Sequence, residues 1–351
     1  MSPLLGKFKN SFDRILQNSK RVVITSHVNP DSDSISSTLL TRYYIKKSYP
    51  NLPVFIFYTG DYVKDWEYFS SYKNVKFVID VADELRQGDT FILVDVQDFD
   101  RVSFKSQKIH SLNLTTVCFD HHFGNTKYNW DLLLTKPNID YVANTHLLYD
   151  LLFKGTLDEV PSEILELIYV GIYSDTGGFR YLNGSKDFKA LLDASIILKK
   201  GNIYPDKVLT SIYKNTSTHL SILSKLLKNL AIHEPFGNWP SYVFTFLSID
   251  DVQDFKESDV SKATFLFKPY LKSLEGAIWG FYVRPYKNLG WRISLRSSPG
   301  GINVGEVARY LGGNGHDAAA GALIADLNLR TPEKVLTYIK NTLRQKTPKF
   351  I

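Results

Sequence analysis

The sequence predicts an α/β protein in which a parallel-sheet domain precedes a smaller α/β domain. Apolar, β-rich runs alternate with helix-compatible segments between residues 21 and 122, and strand-like runs return after residue 240. Such alternation is typical of βαβ units around a parallel sheet. With 351 residues, the chain is long enough to form two domains with separate cores.

The first domain is predicted to begin with a helix, because apolar residues recur at helical spacing within residues 4–16. Five strands follow: RVVITSH (21–27), PVFIFYTG (53–60), VKFVID (75–80), TFILVDV (90–96) and TTVCFDHH (115–122). The segments THLLYDLLF (145–153) and PSEILELIYVGIYSDTGGF (161–179) have helical periodicity, and residues 187–232 are mostly helical in pattern.

The second domain is predicted from three strand-like runs: SYVFTFLS (241–248), EGAIWGFYVRP (275–285) and GWRISLRSS (290–298). A last helix starts at Thr331, Pro332 and Glu333, a good N-terminal sequence for a helix. We therefore assign residues 1–195 to the first domain, 196–220 to a helical linker and 221–351 to the second domain.

Composition indicates an ordinary globular protein of a reducing compartment. The single cysteine, Cys118, cannot pair within the chain and is expected to be a small buried strand residue. The N-terminal segment lacks the apolar core of a signal peptide, and no run is long enough to cross a bilayer, so we expect a cytoplasmic protein with no membrane partner. A net charge of +6 and a pI near 9.0 favour anionic partners only weakly.

Acidic and imidazole side chains follow several predicted elements of the first domain: His27, Asp31, Asp33, Asp95, Asp120, His121, His122 and Asp175. Taken singly, HVNPDSD (27–33) is equally compatible with a turn, and YSDTGG (173–178) with a helix end. Ligands of open parallel sheets bind outside the carboxyl ends of the strands, so these groups are expected to converge. FDHHF (119–123) is the hardest motif to explain without function, because three adjacent polar groups would be desolvated there.

Carboxylates and imidazoles without thiolates suit Mn²⁺, Mg²⁺ or a similar divalent ion. Five carboxylates and two or three imidazoles exceed the ligands of one ion, so the sequence favours two ions about 3.5–4 Å apart that share a carboxylate. Phosphate ester hydrolysis is the natural chemistry of such a pair. The chain lacks the GxxxxGK[ST], GxGxxG and HExxH motifs of other nucleotide and zinc enzymes.

Together the motifs resemble those of the DHH phosphoesterase superfamily: HVNPDSD (27–33), VDVQDFDR (94–101), DHH (120–122), YSDTGGF (173–179), SLRSS (294–298) and GGNGHDAAAG (312–321). The length and the glycine-rich motif resemble the group of nanoRNases and 3′-phosphoadenosine 5′-phosphate (pAp) phosphatases. Two positions depart from the family pattern, since Ser32 and Asn314 stand where glycine is usual. Neither departure removes an expected ligand.

The resemblance implies two manganese ions, with Mg²⁺ or Co²⁺ as substitutes. His27 and Asp31 would bind one ion, Asp33, His121 and Asp175 the other, and Asp95 would bridge them. His122 would face the substrate phosphate, and Asp120 would orient a neighbouring imidazole. In the second domain the resemblance assigns substrate binding to six residues: Arg296, Ser297, Gly312, Gly313, Gly315 and His316.

The function implied is hydrolysis of short RNA oligonucleotides to mononucleotides and of pAp to AMP. Related activities stay open: linear or cyclic dinucleotide phosphodiesterase, single-strand exonuclease and inorganic pyrophosphatase. A non-enzymatic single-strand-binding module is a further alternative, because 14% of the residues are aromatic and the pI is basic. The oligomeric state is open, with a homodimer among the alternatives.

Overall fold

Two compact units make up the chain, residues 1–214 and 215–351. The computed structural model describes residues 2–123, 127–136, 139–182, 184–286 and 289–351. The division falls inside residues 196–220, the range that the sequence analysis assigns to a linker, and most of this range is helical. Among these described residues, no helix has the length and apolar character needed to span a membrane.

The first unit contains a six-stranded sheet in which every neighbouring pair of strands is parallel. Its strands are β1 (Val22–Thr25), β2 (Val54–Thr59), β3 (Val75–Val78), β4 (Thr90–Val94), β5 (Thr115–Phe123) and β6 (Leu132–Lys136). Its helices are α1 (Pro3–Asn18), α2 (Ser32–Ser48), α3 (Ser106–His110), α4 (Asn144–Leu148), α5 (Ser162–Asp175), α6 (Ser185–Gly201) and α7 (Pro205–Ile212). The parallel-sheet prediction is confirmed.

Strand residues alternate between two hydrophobic cores, as the two-residue period of a strand requires. In β1, Val22 and Ile24 pack into the larger core with α1, α2 and α5, whereas Val23 packs into the smaller one. Cys118 of β5 is fully buried in the smaller core, as predicted. Because both faces are covered, the central strands are mostly apolar.

The strand order is β3-β2-β1-β4-β5-β6. The chain moves outward from β1 to β3 and then returns to the other side of β1, so β1 and β4 are neighbours at a topological switch point. Ligands of open α/β sheets bind at such a point, outside the carboxyl ends of the strands. This order makes β1, β4 and β5 three adjacent strands, which explains why the residues following them converge.

Two features of the first unit differ from the sequence expectation. Edge strand β6 was not predicted, because LLLTK is too short for its period to identify it as a strand. The predicted helix 145–153 is present, but α4 ends at Leu148 and a π-helical turn, Tyr149–Phe153, continues it.

The second unit contains a six-stranded mixed sheet with the order β11-β12-β10-β9-β8-β7. Its strands are β7 (Ala231–His233), β8 (Tyr242–Phe246), β9 (Trp279–Pro285), β10 (Trp291–Ser297), β11 (Asn314–His316) and β12 (Ala319–Ile324). Its helices are α8 (Ser217–Lys228), α9 (Ile249–Val252), α10 (Glu257–Phe267), α11 (Val304–Tyr310) and α12 (Pro332–Leu343). The predicted second α/β domain is therefore present.

The glycine-rich segment of the second unit, residues 312–321, forms part of a hairpin. Its residues Asn314–His316 form β11, which pairs with β12 in an antiparallel hairpin. A methyl group on Gly313 would lie 2.1 Å from the carbonyl oxygen of Gly321, and one on Gly315 would lie 2.4 Å from Cα of Ala320. Both glycines therefore allow the two strands to approach closely.

Candidate metal centre

The polar groups expected to converge lie together at the carboxyl ends of β1, β4 and β5. His27 follows β1, Asp95 follows β4, and His121 lies near the end of β5. Three overlapping groups of side chains have potential ligand atoms within 4.8 Å of one another: His27, Asp31 and Asp95; Asp33, His121 and Asp175; and Asp95, His121 and His122. All six residues predicted as metal ligands belong to these groups.

Asp95 lies between the two halves of the centre. Its Oδ2 is 3.7 Å from Nε2 of His27, and its Oδ1 is 3.4 Å from Nε2 of His121. The residue has a left-handed backbone with φ of 59°, which is uncommon outside glycine, although aspartate and asparagine adopt it more often than most residues. Its amide donates to the carbonyl oxygen of Phe119 at 2.8 Å, so the turn is anchored to β5. Strained backbone of this kind is frequently found at functional sites.

His27 and His121, one in each half of the centre, direct Nε2 toward carboxylates. Nδ1 of His27 lies 3.1 Å from the carbonyl oxygen of Val28, and Nδ1 of His121 lies 3.3 Å from that of Tyr141. A carbonyl can only accept, so these contacts favour the tautomer protonated at Nδ1. Such second contacts orient the ring and leave the Nε2 lone pair for a metal ion.

Asp33 and Asp175 complete the His121 half of the centre. Nε2 of His121 is 3.1 Å from Oδ2 of Asp175 and 4.0 Å from Oδ2 of Asp33. Asp33 is fully buried, and its two oxygens accept from the backbone amides of Asn144 and Thr145 at 2.6 and 2.9 Å. The first turn of α4 thus holds this carboxylate.

Burial and mutual repulsion strongly perturb the carboxylates. Burial, together with the charges of Asp175 and Asp95, raises the pKa of Asp33 well above its usual value. Burial likewise raises the pKa of Asp175 to about 6, against the opposing effect of His121. For Asp95, burial raises the pKa, but the neighbouring imidazoles of His121 and His27 outweigh burial, so the pKa falls. Negative charge on Asp33 and Asp175 is therefore disfavoured unless a cation lies beside them.

The neighbouring carboxylates raise the pKa values of the two histidines and so favour their charged forms. Burial lowers the pKa of His27, but the neighbouring carboxylates of Asp95 and Asp31 outweigh burial and raise the pKa to about 9. Burial also opposes the charged form of His121, yet Asp175 and Asp95 raise its pKa well above the usual value. A proton on Nε2 of either histidine would have to leave before that atom could bind a cation.

Two buried atoms of the centre lack a hydrogen-bond partner among the residues that the structure describes: Oδ1 of Asp95 and Nε2 of His121. Unsatisfied buried polar atoms are costly, and native proteins rarely keep them without reason. Carboxylate oxygens and imidazole nitrogens without thiolate match Mn²⁺, Mg²⁺ and similar divalent ions. The donor set therefore fits a divalent metal.

His122 and Asp120 form a separate pair beside the ligands. Nδ1 of His122 is 2.7 Å from Oδ1 of Asp120, which also accepts from the backbone amide of His122 at 3.0 Å. Asp120 in turn accepts from Nε2 of Gln97 at 3.2 Å. Asp120 thus orients His122, and the ring lies next to Asp95, with 3.6 Å between Nδ1 and Oδ1.

Asp31 combines the two roles that the sequence left open for HVNPDSD. Its Oδ1 accepts from the backbone amide of Ser34 at 3.0 Å and caps the N-terminus of α2. Its Oδ2 lies 3.7 Å from Nε2 of His27 and is available at the mouth of the centre. One carboxylate can therefore start the helix and contribute to a metal site.

Arg296 and His316 share a row across the second sheet. Arg296 of β10 pairs with Ala319 of β12, and Ala319 pairs with His316 of β11. Directly opposed residues project from the same face of a sheet. Ala319 lies between them in this row, and Nη1 of Arg296 donates to the carbonyl oxygen of Leu295 at 2.6 Å.

The remaining residues predicted to bind substrate have structural roles. The side chain of Ser297 is fully buried, and its Oγ donates at 3.4 Å to the carbonyl oxygen of Ile278. Gly312 has a φ of 77°, which few other residues adopt without strain. Their participation in substrate binding remains a prediction.

Several groups that shape the centre were not predicted. They are backbone atoms of Tyr141, Asn144 and Thr145 and the side chain of Gln97. Backbone donors and acceptors occur at every residue, so no residue type marks them. Only the fold reveals that α4 starts beside Asp33.

Two known domain families match consecutive parts of the chain. The DHH family N-terminal domain matches residues 21–172, and the DHHA1 domain matches residues 252–345. The chain therefore belongs to the DHH superfamily of phosphoesterases, which are metal-dependent hydrolases of phosphoric esters. This confirms the family and the enzyme class that the motifs indicate.

Similarity to known proteins extends over nearly the whole chain. It is 25% identical over 324 residues to the bifunctional oligoribonuclease and PAP phosphatase NrnA of Mycoplasma genitalium, covering 92% of this chain and 93% of the relative. The protein of the same name from Thermus thermophilus is 26% identical over 330 residues, covering 92% and 90%. Within the superfamily, the chain belongs to the nanoRNase and pAp phosphatase group.

A solved structure shares the fold of both units. The exopolyphosphatase-related protein of Bacteroides fragilis superposes with a TM-score of 0.79 over 97% of both chains, at 20% sequence identity. At this identity the likeness concerns the fold alone. It supports the order of elements described above for each unit.

Proposed function

We propose that this protein is a manganese-dependent phosphoesterase that hydrolyses short oligoribonucleotides to mononucleotides and pAp to AMP. The observation that carries the proposal is the position of Asp95, whose two oxygens face His27 and His121 respectively. The similarity to NrnA proteins over most of the chain supports the choice of substrate class.

Each ligand has a separate part in this proposal. His27 and Asp31 would hold one ion, Asp33, His121 and Asp175 the second, and Asp95 would bind both. A pair of divalent ions supplies an activated water and neutralises charge on the reacting phosphate. The contacts of Val28, Tyr141 and α4 orient these ligands before substrate arrives.

His122 would act directly on the substrate. With its ring fixed by Asp120, the imidazole would hydrogen-bond a phosphoryl oxygen and stabilise the charge that develops there. Preorganised donors of this kind lower the barrier because they need not reorient during the reaction. Asp120 is a positioning residue for His122.

Arg296 and His316 would bind a phosphate of the substrate, and Gly312, Gly313, Gly315 and Ser297 would shape the backbone that carries them. A guanidinium with its fixed fork of donors suits a phosphate. Two such side chains, Arg296 and His316, can contact only a small number of phosphates of a bound RNA. Affinity would then not grow with each added nucleotide, and short chains would be the preferred substrates.

A side-by-side assay tests the proposal. Purified protein with Mn²⁺ is given pAp, a 5′-phosphorylated dinucleotide, inorganic pyrophosphate and a long unstructured RNA at equal concentrations of ends. We expect rapid hydrolysis of pAp and the dinucleotide, with a weak dependence on salt. Faster degradation of the long RNA, with affinity falling steeply as salt rises, would instead identify a processive exonuclease. Preference for pyrophosphate would also refute the proposal.

A further inference from the structure

A cluster of charged and aromatic side chains lies beside the metal centre without contributing a ligand to it. Its members come from the segment before α4, from α4 and its π-helical continuation, and from α6. We call it the α4–α6 charge cluster, and it consists of Tyr141, His146, Asp150, Lys189 and Asp193. The DHH motifs include none of these residues.

The imidazole and the two carboxylates of the cluster are buried, whereas the side chain of Lys189 is 41% exposed. The exposed fractions of His146, Asp150 and Asp193 are 2%, 7% and 5%. Buried carboxylates are tolerated only when they are paired and hydrogen-bonded. Nζ of Lys189 donates to Asp150 at 2.9 Å and to Asp193 at 2.5 Å, so one ammonium joins both acids.

One connection runs from the cluster to His121. The hydroxyl of Tyr141 donates to Oδ2 of Asp150 at 2.9 Å, and the same residue's carbonyl oxygen faces Nδ1 of His121 at 3.3 Å. The Tyr141 side chain is therefore held at one end while its backbone orients the imidazole. Asp150 is also fixed by Nζ of Lys154 at 2.9 Å.

A second connection runs from the cluster to Asp33. Nε2 of His146 lies 3.0 Å from Oδ2 of Asp193, which ties α4 to α6. The first two amides of the same helix, from Asn144 and Thr145, donate to the oxygens of Asp33. The position of α4 therefore determines where this buried carboxylate lies.

We propose that the α4–α6 charge cluster positions His121 and Asp33 and thereby sets the affinity of the metal ion that these two residues bind. This inference rests on the proposed function, because it requires an ion at His121. Tyr141, His146, Asp150, Lys189 and Asp193 are positioning residues: they act through a carbonyl oxygen and two amides and touch neither the ion nor the substrate.

Mn²⁺ titration of metal-free variants by calorimetry tests the inference. Lys189→Met removes one of the two ammonium groups that contact both Asp150 and Asp193, the other being that of Lys154. It should weaken one of two Mn²⁺ binding steps by about tenfold, the lower end of the effect of losing an outer-sphere partner. The step at His27 and Asp31 should be unchanged. Lys189→Arg keeps the charge and should restore much of the lost affinity. Tyr141→Phe deletes only a hydroxyl and should cause a smaller loss of Mn²⁺ affinity in the same binding step. This second variant tests the inference even if Lys189→Met folds poorly.

Asp89→Asn provides the matched control. Asp89 is also buried and pairs with Arg21, but it lies before β4, at the opposite end of the sheet. This variant should lose stability without any change in Mn²⁺ affinity. Equal Mn²⁺ affinity in wild type, Lys189→Met and Tyr141→Phe would overturn the inference while leaving the proposed function intact. A wild-type protein that binds no Mn²⁺ would overturn both.

Discussion

At the scale of single residues, the proposed metal centre contains buried carboxylates whose charged forms would be costly in free energy without a cation beside them. Asp33 and Asp95 are almost completely buried, with exposed fractions of 0% and 1%. Neighbouring carboxylates raise the pKa values of His27 and His121, which favours protons on atoms that would bind the metal ion. Protons and metal ions therefore compete for the same atoms.

This competition predicts how metal binding depends on pH. The pKa of His27 is about 9 in the metal-free protein, so the ring is protonated at pH 7 and must lose a proton to bind an ion. Apparent Mn²⁺ affinity should therefore rise as pH increases toward about 9 and level off above it. Calorimetry in buffers of different ionisation enthalpy measures the protons released at pH 7, and we expect at least one. Affinity that is independent of pH would contradict the account.

Gly171 of α5 lies so close to the metal centre that no larger residue fits there without displacing Thr145 or Asp33. A methyl group there would lie 2.3 Å from Oγ1 of Thr145 and 2.7 Å from Oδ1 of Asp33. Gly171→Ala should therefore displace the start of α4, cost about 1–3 kcal/mol of stability and weaken Mn²⁺ binding. Gly6→Ala in α1 is the control, because a methyl group at Gly6 has no neighbour within 4 Å. Unchanged metal affinity in Gly171→Ala would show that α4 does not control Asp33.

At the scale of elements, the N-terminus of α2 combines helix capping with metal binding at Asp31. Asp31→Asn keeps an acceptor for the Ser34 amide, whereas Asp31→Ala removes it. We expect Asp31→Ala to lower the free energy of unfolding of the metal-free protein by about 1 kcal/mol, and Asp31→Asn to lower it less. Both should weaken Mn²⁺ binding, since both lose the charge. Chemical denaturation and calorimetry on the same samples separate the effects. Wild-type Mn²⁺ affinity in both variants would limit Asp31 to capping.

The sequence predicted the elements that carry strong periodicity or motif residues. Strands β1 to β5 and helices α1 and α5 were identified because apolar runs and turn residues delimit them. The edge strand β6 and the β11–β12 hairpin were missed, since short or glycine-rich strands have no clear period. The side chains expected to converge do lie together, because strand ends identify one edge of a parallel sheet. The backbone groups that orient these side chains could not be predicted, since their positions depend on tertiary structure.

At the scale of the whole molecule, we propose that the first unit binds the metal ions and the second unit binds the substrate. The first unit contains the metal-binding side chains, and the second presents Arg296 and His316 in one row of its sheet. Each unit has its own core. Substitutions in the second unit should therefore change substrate binding without changing metal binding.

Arg296→Ala tests this division. Loss of a charged hydrogen bond to phosphate should raise KM for a dinucleotide about tenfold, while two Mn²⁺ ions still bind. His316→Ala should act in the same direction. Arg292→Ala is the control, because Arg292 lies on the same strand, exposed and four residues away from the row. Loss of Mn²⁺ from the Arg296 variant, or the same KM change in the control, would contradict the assignment.

The central claim is that Asp95 holds two metal ions for phosphate ester hydrolysis. Metal-free protein is titrated with Mn²⁺ while hydrolysis of a dinucleotide is followed in the same sample, for wild type and for Asp95→Asn. We predict two equivalents of Mn²⁺ in the wild type, with activity appearing as the second ion binds. Asp95→Asn should fold, bind Mn²⁺ much more weakly and lose nearly all turnover. Near-normal hydrolysis by Asp95→Asn, or wild-type hydrolysis that persists in a chelator, would contradict the account.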